Sequence, residues 1–104
     1  DLLEAYRRAT TVDDWDRALW ELVKASREPT VSARLDQITQ PALVVTGTMD
    51  TIVPPDASRQ LASELPNATL AELSDCGHVP QEECAARLLD AIGTWWSANL
   101  TAQP

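Results

Sequence analysis

Basic residues are scarce in this chain: 8 lysines and arginines face 16 aspartates and glutamates over 104 residues, for a formal net charge of -8. A surface of that sign repels a phosphate backbone, so nucleic acid is not expected as a partner. Long apolar runs are missing as well. None approaches the roughly 20 residues that span a bilayer, and residues 1–8 show no basic-then-apolar signal pattern. A cytoplasmic protein without membrane contact is expected, with a signal upstream of Asp1 left open. Cysteine is nearly absent: Cys76 and Cys84 alone do not make the dense framework of a small secreted domain, and free structural thiols are expected. With His78, the only histidine, they raise a zinc question. The paired Cys-x-x-Cys spacing is missing and Glu82 or Asp75 would have to complete the set, so no metal is expected.

What is present is a regular alternation of elements. Thr11 and Asp14 resemble a capping box with Asp in place of Glu, and Trp15, Leu19, Leu22 and Val23 recur at helical spacing, which predicts a helix over 12–26. Core packing is the expected role of Trp15 and Trp20, ahead of lining a pocket. Residues 31–38 are polar and ambiguous, with room for one helical turn. Pro41 then introduces 42–46, an apolar β-branched run without polar alternation, as expected of a parallel strand covered on both faces. Pro54 and Pro55 precede a helix that Asp56 can cap, with Ala57, Leu61, Ala62 and Leu65 as its apolar stripe and an end before Pro66. A second strand is predicted over 68–73. A last helix begins near Gln81, with Glu82 and Glu83 at the positive end of its dipole. Leu88, Leu89, Ile92, Trp95 and Trp96 supply its buried face.

Strand, helix, strand, helix is a βαβ unit with a closing helix, so the fold class is α/β. Parallel strands release their C-terminal loops on one edge of the sheet, where open α/β sheets bind ligands. Asp50 leaves the first strand and His78 the second. A neutral imidazole relays a proton between a nucleophile and a leaving group when a carboxylate fixes its tautomer. Asp75 is the runner-up for that carboxylate. The bland alternatives are a loop histidine and a turn aspartate.

Residues 41–50 (Pro-Ala-Leu-Val-Val-Thr-Gly-Thr-Met-Asp), then Ile52-Val53-Pro54, then Cys76-Gly77-His78-Val79-Pro80-Gln81-Glu82-Glu83 resemble the α/β-hydrolase family. There a strand runs into Gly-x-x-Asp and Val-Pro, with Gly-His-x-Pro before the final helix. The resemblance covers 38–100 and is carried by both motifs in order. It implies that Asp50 is the acid and His78 the base of a triad, and that 38–104 is the C-terminal βαβα part of the hydrolase domain. Residues 1–37 resemble, loosely, the end of a helical cap returning to the sheet. Ala85 stands where relatives commonly carry proline. The family's nucleophile, a serine in Gly-x-Ser-x-Gly, is missing, since none of the 3 glycines flanks a serine in that way.

The resemblance implies hydrolysis of a small, uncharged, moderately apolar ester through an acyl-enzyme, without cofactor, the nucleophile lying on a missing N-terminal half. Relatives with a similar C-terminal pattern cleave epoxides, carbon–halogen or carbon–carbon bonds. A non-catalytic remnant docking onto a partner is the rival reading. The open sheet edge implies that the isolated chain orders poorly until further strands pair with 42–46.

Overall fold

The computed structural model describes residues 1–26 and 32–100. It divides into two compact units, Asp1–Ala33 and Arg34–Pro104. The first holds α1 (Leu2–Ala9) and α2 (Trp15–Ala25). Helix α1, which has no counterpart among the sequence predictions, has its local signals in place. The Asp1 carboxylate accepts from the Glu4 amide at 2.8 Å, and Arg7 and Arg8 stand in the last turn, where cations meet the negative end of the dipole.

Helix α2 starts at Trp15, later than residue 12, and the expected capping box does not form. Thr11 Oγ1 donates to the Arg8 carbonyl at the end of α1, and Asp14 takes the N-cap in a left-handed conformation (φ 57) without a side-chain cap hydrogen bond. Trp15, Leu19, Leu22 and Val23 are all exposed, as is Trp20 at 58%. The expectation that Trp15 and Trp20 pack in a core is therefore corrected: the stripe has the right spacing but no cover among the described residues.

A 3-10 segment, Ser32–Gln37, runs across the boundary between the units, and the second unit continues with β1 (Ala42–Gly47), α3 (Pro55–Glu64), β2 (Ala68–Leu73), α4 (Pro80–Glu83) and α5 (Ala85–Leu100). The strands pair in parallel from Ala42 opposite Ala68 to Gly47 opposite Leu73, giving a two-stranded sheet. Pro54 is the N-cap of α3 and Pro55 its first residue, so Asp56 does not cap it. Asp56 pairs instead with Arg59, whose guanidinium also reaches Glu72 and ties α3 to β2. The helix ends ahead of Pro66, which disfavours helical geometry in the residue before it.

The core lies at the C-terminal ends of the strands. Leu73, Cys76 and Cys84 are buried, with Val45, Leu88 and Ala91 packed on them. Leu88, Ala91 and the half-buried Trp95 form the inner stripe of α5, whereas Leu89, Ile92 and Trp96, expected inside, are exposed at 67%, 39% and 55%. A helix apolar on two adjacent stripes can turn only one of them to a two-stranded sheet. The hydroxyl of Thr46 is buried without a hydrogen-bond partner among the described residues.

The cysteines are not free thiols. Cys76 and Cys84 form a disulfide, which corrects the expectation from their number. The turn between β2 and α4 brings their Cα atoms to 5.9 Å, within bridging range, although eight positions separate them in sequence. Cys84 stands outside helical geometry (φ -147, ψ 46), so the single expected helix becomes α4 and α5. Ala85 is then the first residue of α5, a position that accepts proline readily. Among the described residues no helix is long and apolar enough to cross a membrane.

Candidate active site

Beyond the last sheet pair the two strand exits stay bonded. The Thr48 amide donates to the Leu73 carbonyl at 2.9 Å and the Met49 amide to the Cys76 carbonyl at 2.8 Å. The Asp75 amide, on a residue with left-handed φ of 50, donates to Thr48 Oγ1 at 3.1 Å. Gly47 makes this approach possible, because a Cβ there would collide with the backbone carbonyls of Cys76 and Gly77. Neither atom in that collision belongs to a flexible side chain, so only glycine fits.

From these loops Asp50 and His78 meet. His78 Nδ1 lies 3.0 Å from Asp50 Oδ2. The Asp50 side chain is 8% exposed and that of His78 45%. The other carboxylate oxygen, Oδ1, accepts from the amides of Ile52 and Val53, each at 2.9 Å. Asp50 is thus a turn aspartate and a histidine partner together, one oxygen serving each role. Asp75, the alternative acid, bonds through its backbone to Thr48 and does not take the place of Asp50.

An ionised carboxylate only accepts, so in the neutral ring the proton on this bond resides on Nδ1 and Nε2 is left as an acceptor. That is the tautomer a general base requires. Asp50 is held below its ordinary value of 3.8. Desolvation is the largest single influence and raises it, but the hydrogen bond with His78, those from Val53 and Ile52 and the charge of a protonated His78 together outweigh it. A carboxyl depressed on folding contributes stability that is complete above its unfolded value and is lost as pH falls through its folded one. The stability gap between the parent and Asp50→Asn is therefore expected to narrow on acidification below 3.8, as followed by urea unfolding at successive pH values. A gap that stays constant would mean that Asp50 titrates alike folded and unfolded.

The sequence reading placed Glu83 in the first turn of a helix without a role in the site. Its carboxylate reaches back instead: Oε2 accepts from the Gly77 amide and Oε1 from the Val79 amide, both at 2.9 Å. No capping-box signal announced this contact, because that motif places its reach-back glutamate three residues after a hydroxyl-bearing N-cap, and Glu83 lies four after Val79. The zinc arrangement does not arise, since the sulfurs of Cys76 and Cys84 are bonded to each other. No group of three or more histidine, cysteine, aspartate or glutamate side chains suited to a metal ion occurs among the described residues. A groove of about 410 Å³ between α5 and the sheet, lined by Leu43, Leu70, Ala91 and Trp95 among others, includes neither Asp50 nor His78. The Asp50–His78 pair thus stands apart from that groove.

Comparison with known proteins agrees with this architecture. The chain is 39% identical over 64 residues to a pimeloyl-[acyl-carrier protein] methyl ester esterase of Aromatoleum aromaticum, covering 58% of this chain and 26% of that protein. It is 42% identical over 69 residues to a 2-hydroxy-6-oxononadienedioate/2-hydroxy-6-oxononatrienedioate hydrolase of Paraburkholderia phymatum, covering 62% of this chain and 24% of that protein. The chain thus spans about a quarter of the length of these curated relatives. Among solved structures, a thermophilic esterase from Thermogutta terrifontis matches with a TM-score of 0.65 and 29% identity, over 69% of this chain and 26% of that one. The family description "alpha/beta hydrolase fold" matches residues 6–85. With a parallel βαβ unit, its closing helices and this match over most of its length, the chain belongs to the α/β-hydrolase family.

Proposed function

We propose that Asp50 and His78 are the acid and the general base of a nucleophile–histidine–acid triad that hydrolyses a small, apolar, uncharged carboxylic ester. The observation that carries this reading is the Asp50 Oδ2 to His78 Nδ1 hydrogen bond, at 3.0 Å, with the ring itself 45% exposed. In this reading Nε2 takes the proton of the attacking hydroxyl and delivers it to the leaving alcohol. Asp50 holds the ring and stabilises the imidazolium, and water then repeats the cycle on the acyl-enzyme. The nucleophile and the oxyanion donors belong to an N-terminal half of the enzyme, of which residues 1–37 are the cap-derived end and 38–104 the C-terminal complement. Similarity to an esterase among curated proteins and to one among solved structures supports the ester as substrate.

The exposed stripes of α2 and α5 suit such a completion, because packing against the rest of a sheet and its helices would cover them. The likeness to the oxononadienedioate hydrolase favours a second reading, in which the same pair serves cleavage of a carbon–carbon bond beside a ketone. A remnant that only docks onto a partner is the non-catalytic rival. A cytoplasmic location is weighed against the disulfide, since such bonds persist chiefly in oxidising compartments.

The 104-residue chain alone is expected to turn over a small aryl ester no faster than its His78→Ala variant, and to gain saturable activity when the N-terminal half of a relative is supplied. Turnover by the chain alone, abolished by changing one of its serines, would place the nucleophile here and overturn the proposal. A mixture that binds the N-terminal half yet stays inactive on esters and ketones would favour the docking remnant.

A further inference from the structure

Three features converge on the segment that carries His78. The amides on either side of it, those of Gly77 and Val79, both donate to one carboxylate, that of Glu83. Gly77 has no positive φ to explain it. A Cβ at this position would instead occupy the space of the Glu83 carboxylate. Finally, the residues next to the two partners, Cys76 and Cys84, are joined by the disulfide, which keeps the stem of the loop and the start of the last helix together.

We propose that Glu83 is the positioning residue of His78, acting through the backbone without touching the ring. The Val79 amide belongs to the peptide that leaves the His78 Cα and the Gly77 amide to the peptide one residue before the one that enters it, so one carboxylate bound to both restrains the backbone on each side of His78, and with it the direction of the Cα–Cβ bond. The side chain then has few rotamers left, and one of them brings Nδ1 to Asp50 Oδ2. Asp50 is immobilised in the same way by the amides of Ile52 and Val53, so both members of the pair are set by carboxylate–amide bonds within their own loops. A charged acceptor makes such bonds shorter and stronger than a neutral one. Removing it costs the alignment of the ring more than it costs the fold. The proposal rests on the reading of His78 as the base only for its effect on rate. Its structural content stands independently.

The test compares Glu83→Gln and Glu83→Ala with the parent in the full chain, and in the complemented enzyme for kinetics. Glutamine keeps the shape, but its amide nitrogen cannot accept, so one of the two backbone bonds is lost and the other kept. Amide exchange at Gly77 or Val79 is expected to quicken about 10-fold in Glu83→Gln and at both in Glu83→Ala, by the loss of one hydrogen bond each. At a pH where the ring is neutral, nitrogen NMR of His78 is expected to show the Nδ1–H tautomer dominant in the parent and mixed with Nε2–H in both variants. In the complemented enzyme kcat is expected to fall about 10- to 100-fold with KM unchanged, as for a reacting group displaced by about 1 Å. Arg59→Ala, which breaks the ion pairs between α3 and β2 away from the site, serves as the control for general loosening.

Fast exchange at both amides with the tautomer of His78 unaltered would overturn the proposal and leave Glu83 as a helix cap. So would an equal tautomer change in Arg59→Ala. Should His78→Ala retain full activity, the triad reading fails while exchange and tautomer still decide the role of Glu83.

Discussion

Asp50→Asn is expected to lower kcat of the complemented enzyme about 10⁴-fold with KM nearly unchanged, the scale set when a triad histidine is held in the wrong tautomer. The direction follows from the loop. The amides of Ile52 and Val53 both donate to Oδ1, so an asparagine here must turn its carbonyl oxygen toward them and its NH2 toward His78. Nδ1 must then accept, the ring proton moves to Nε2, and the atom facing a nucleophile can no longer take a proton. The variant loses the stability that the ionised carboxylate contributes near neutral pH, but it should stay folded, because the substitution is isosteric and keeps both backbone bonds. Steady-state hydrolysis of an aryl ester measures the effect, with unfolding curves as the control. A loss below about tenfold would mean that Asp50 is a turn residue and that another group orients His78.

Opening the Cys76–Cys84 disulfide is expected to cost the folded chain about 2–3 kcal/mol, the loop-entropy value for a ring of this size. Cys76→Ser together with Cys84→Ser, compared with the oxidised parent by urea unfolding, gives this number. The bond is also the stem of the His78 loop, since Cys76 and Cys84 are the neighbours of Gly77 and Glu83. Its loss should therefore quicken exchange at Gly77 and Val79 more than along β1. Alkylation without reductant should add nothing to the denatured parent, and reduction should expose two reactive thiols. Two thiols reacting without reductant would show that the protein carries them free, as their small number suggested.

Much of the second unit was legible in the sequence because its signals are local. The apolar run 42–46, the prolines at 54 and 55, and Pro66 mark β1, the start of α3 and its end through backbone geometry alone, and the structure departs from the expected bounds by one or two residues, α3 starting at Pro55 and not after an Asp56 cap. Charge and the order of elements likewise needed no knowledge of contacts. The N-terminal unit was read less well. Thr11 and Asp14 have the composition of a cap, but a hydroxyl can bond either way along the chain, and Thr11 turned back to Arg8. Spacing in α2 and α5 identified apolar stripes without identifying which of them another element would cover.

At the site, the sequence by itself singled out the two residues that meet: one histidine after a glycine at a strand exit, and one aspartate in a tight turn after the strand before it. Only tertiary structure decided how they are used. The parallel register brings the two exits to the same edge. Gly47 lets the loops touch, and Asp50 divides its oxygens between its own turn and His78. The disulfide and the Glu83 clamp were invisible beforehand for the same reason. Each joins groups that are distant along an irregular segment, and no periodicity reports how such a segment folds back on itself.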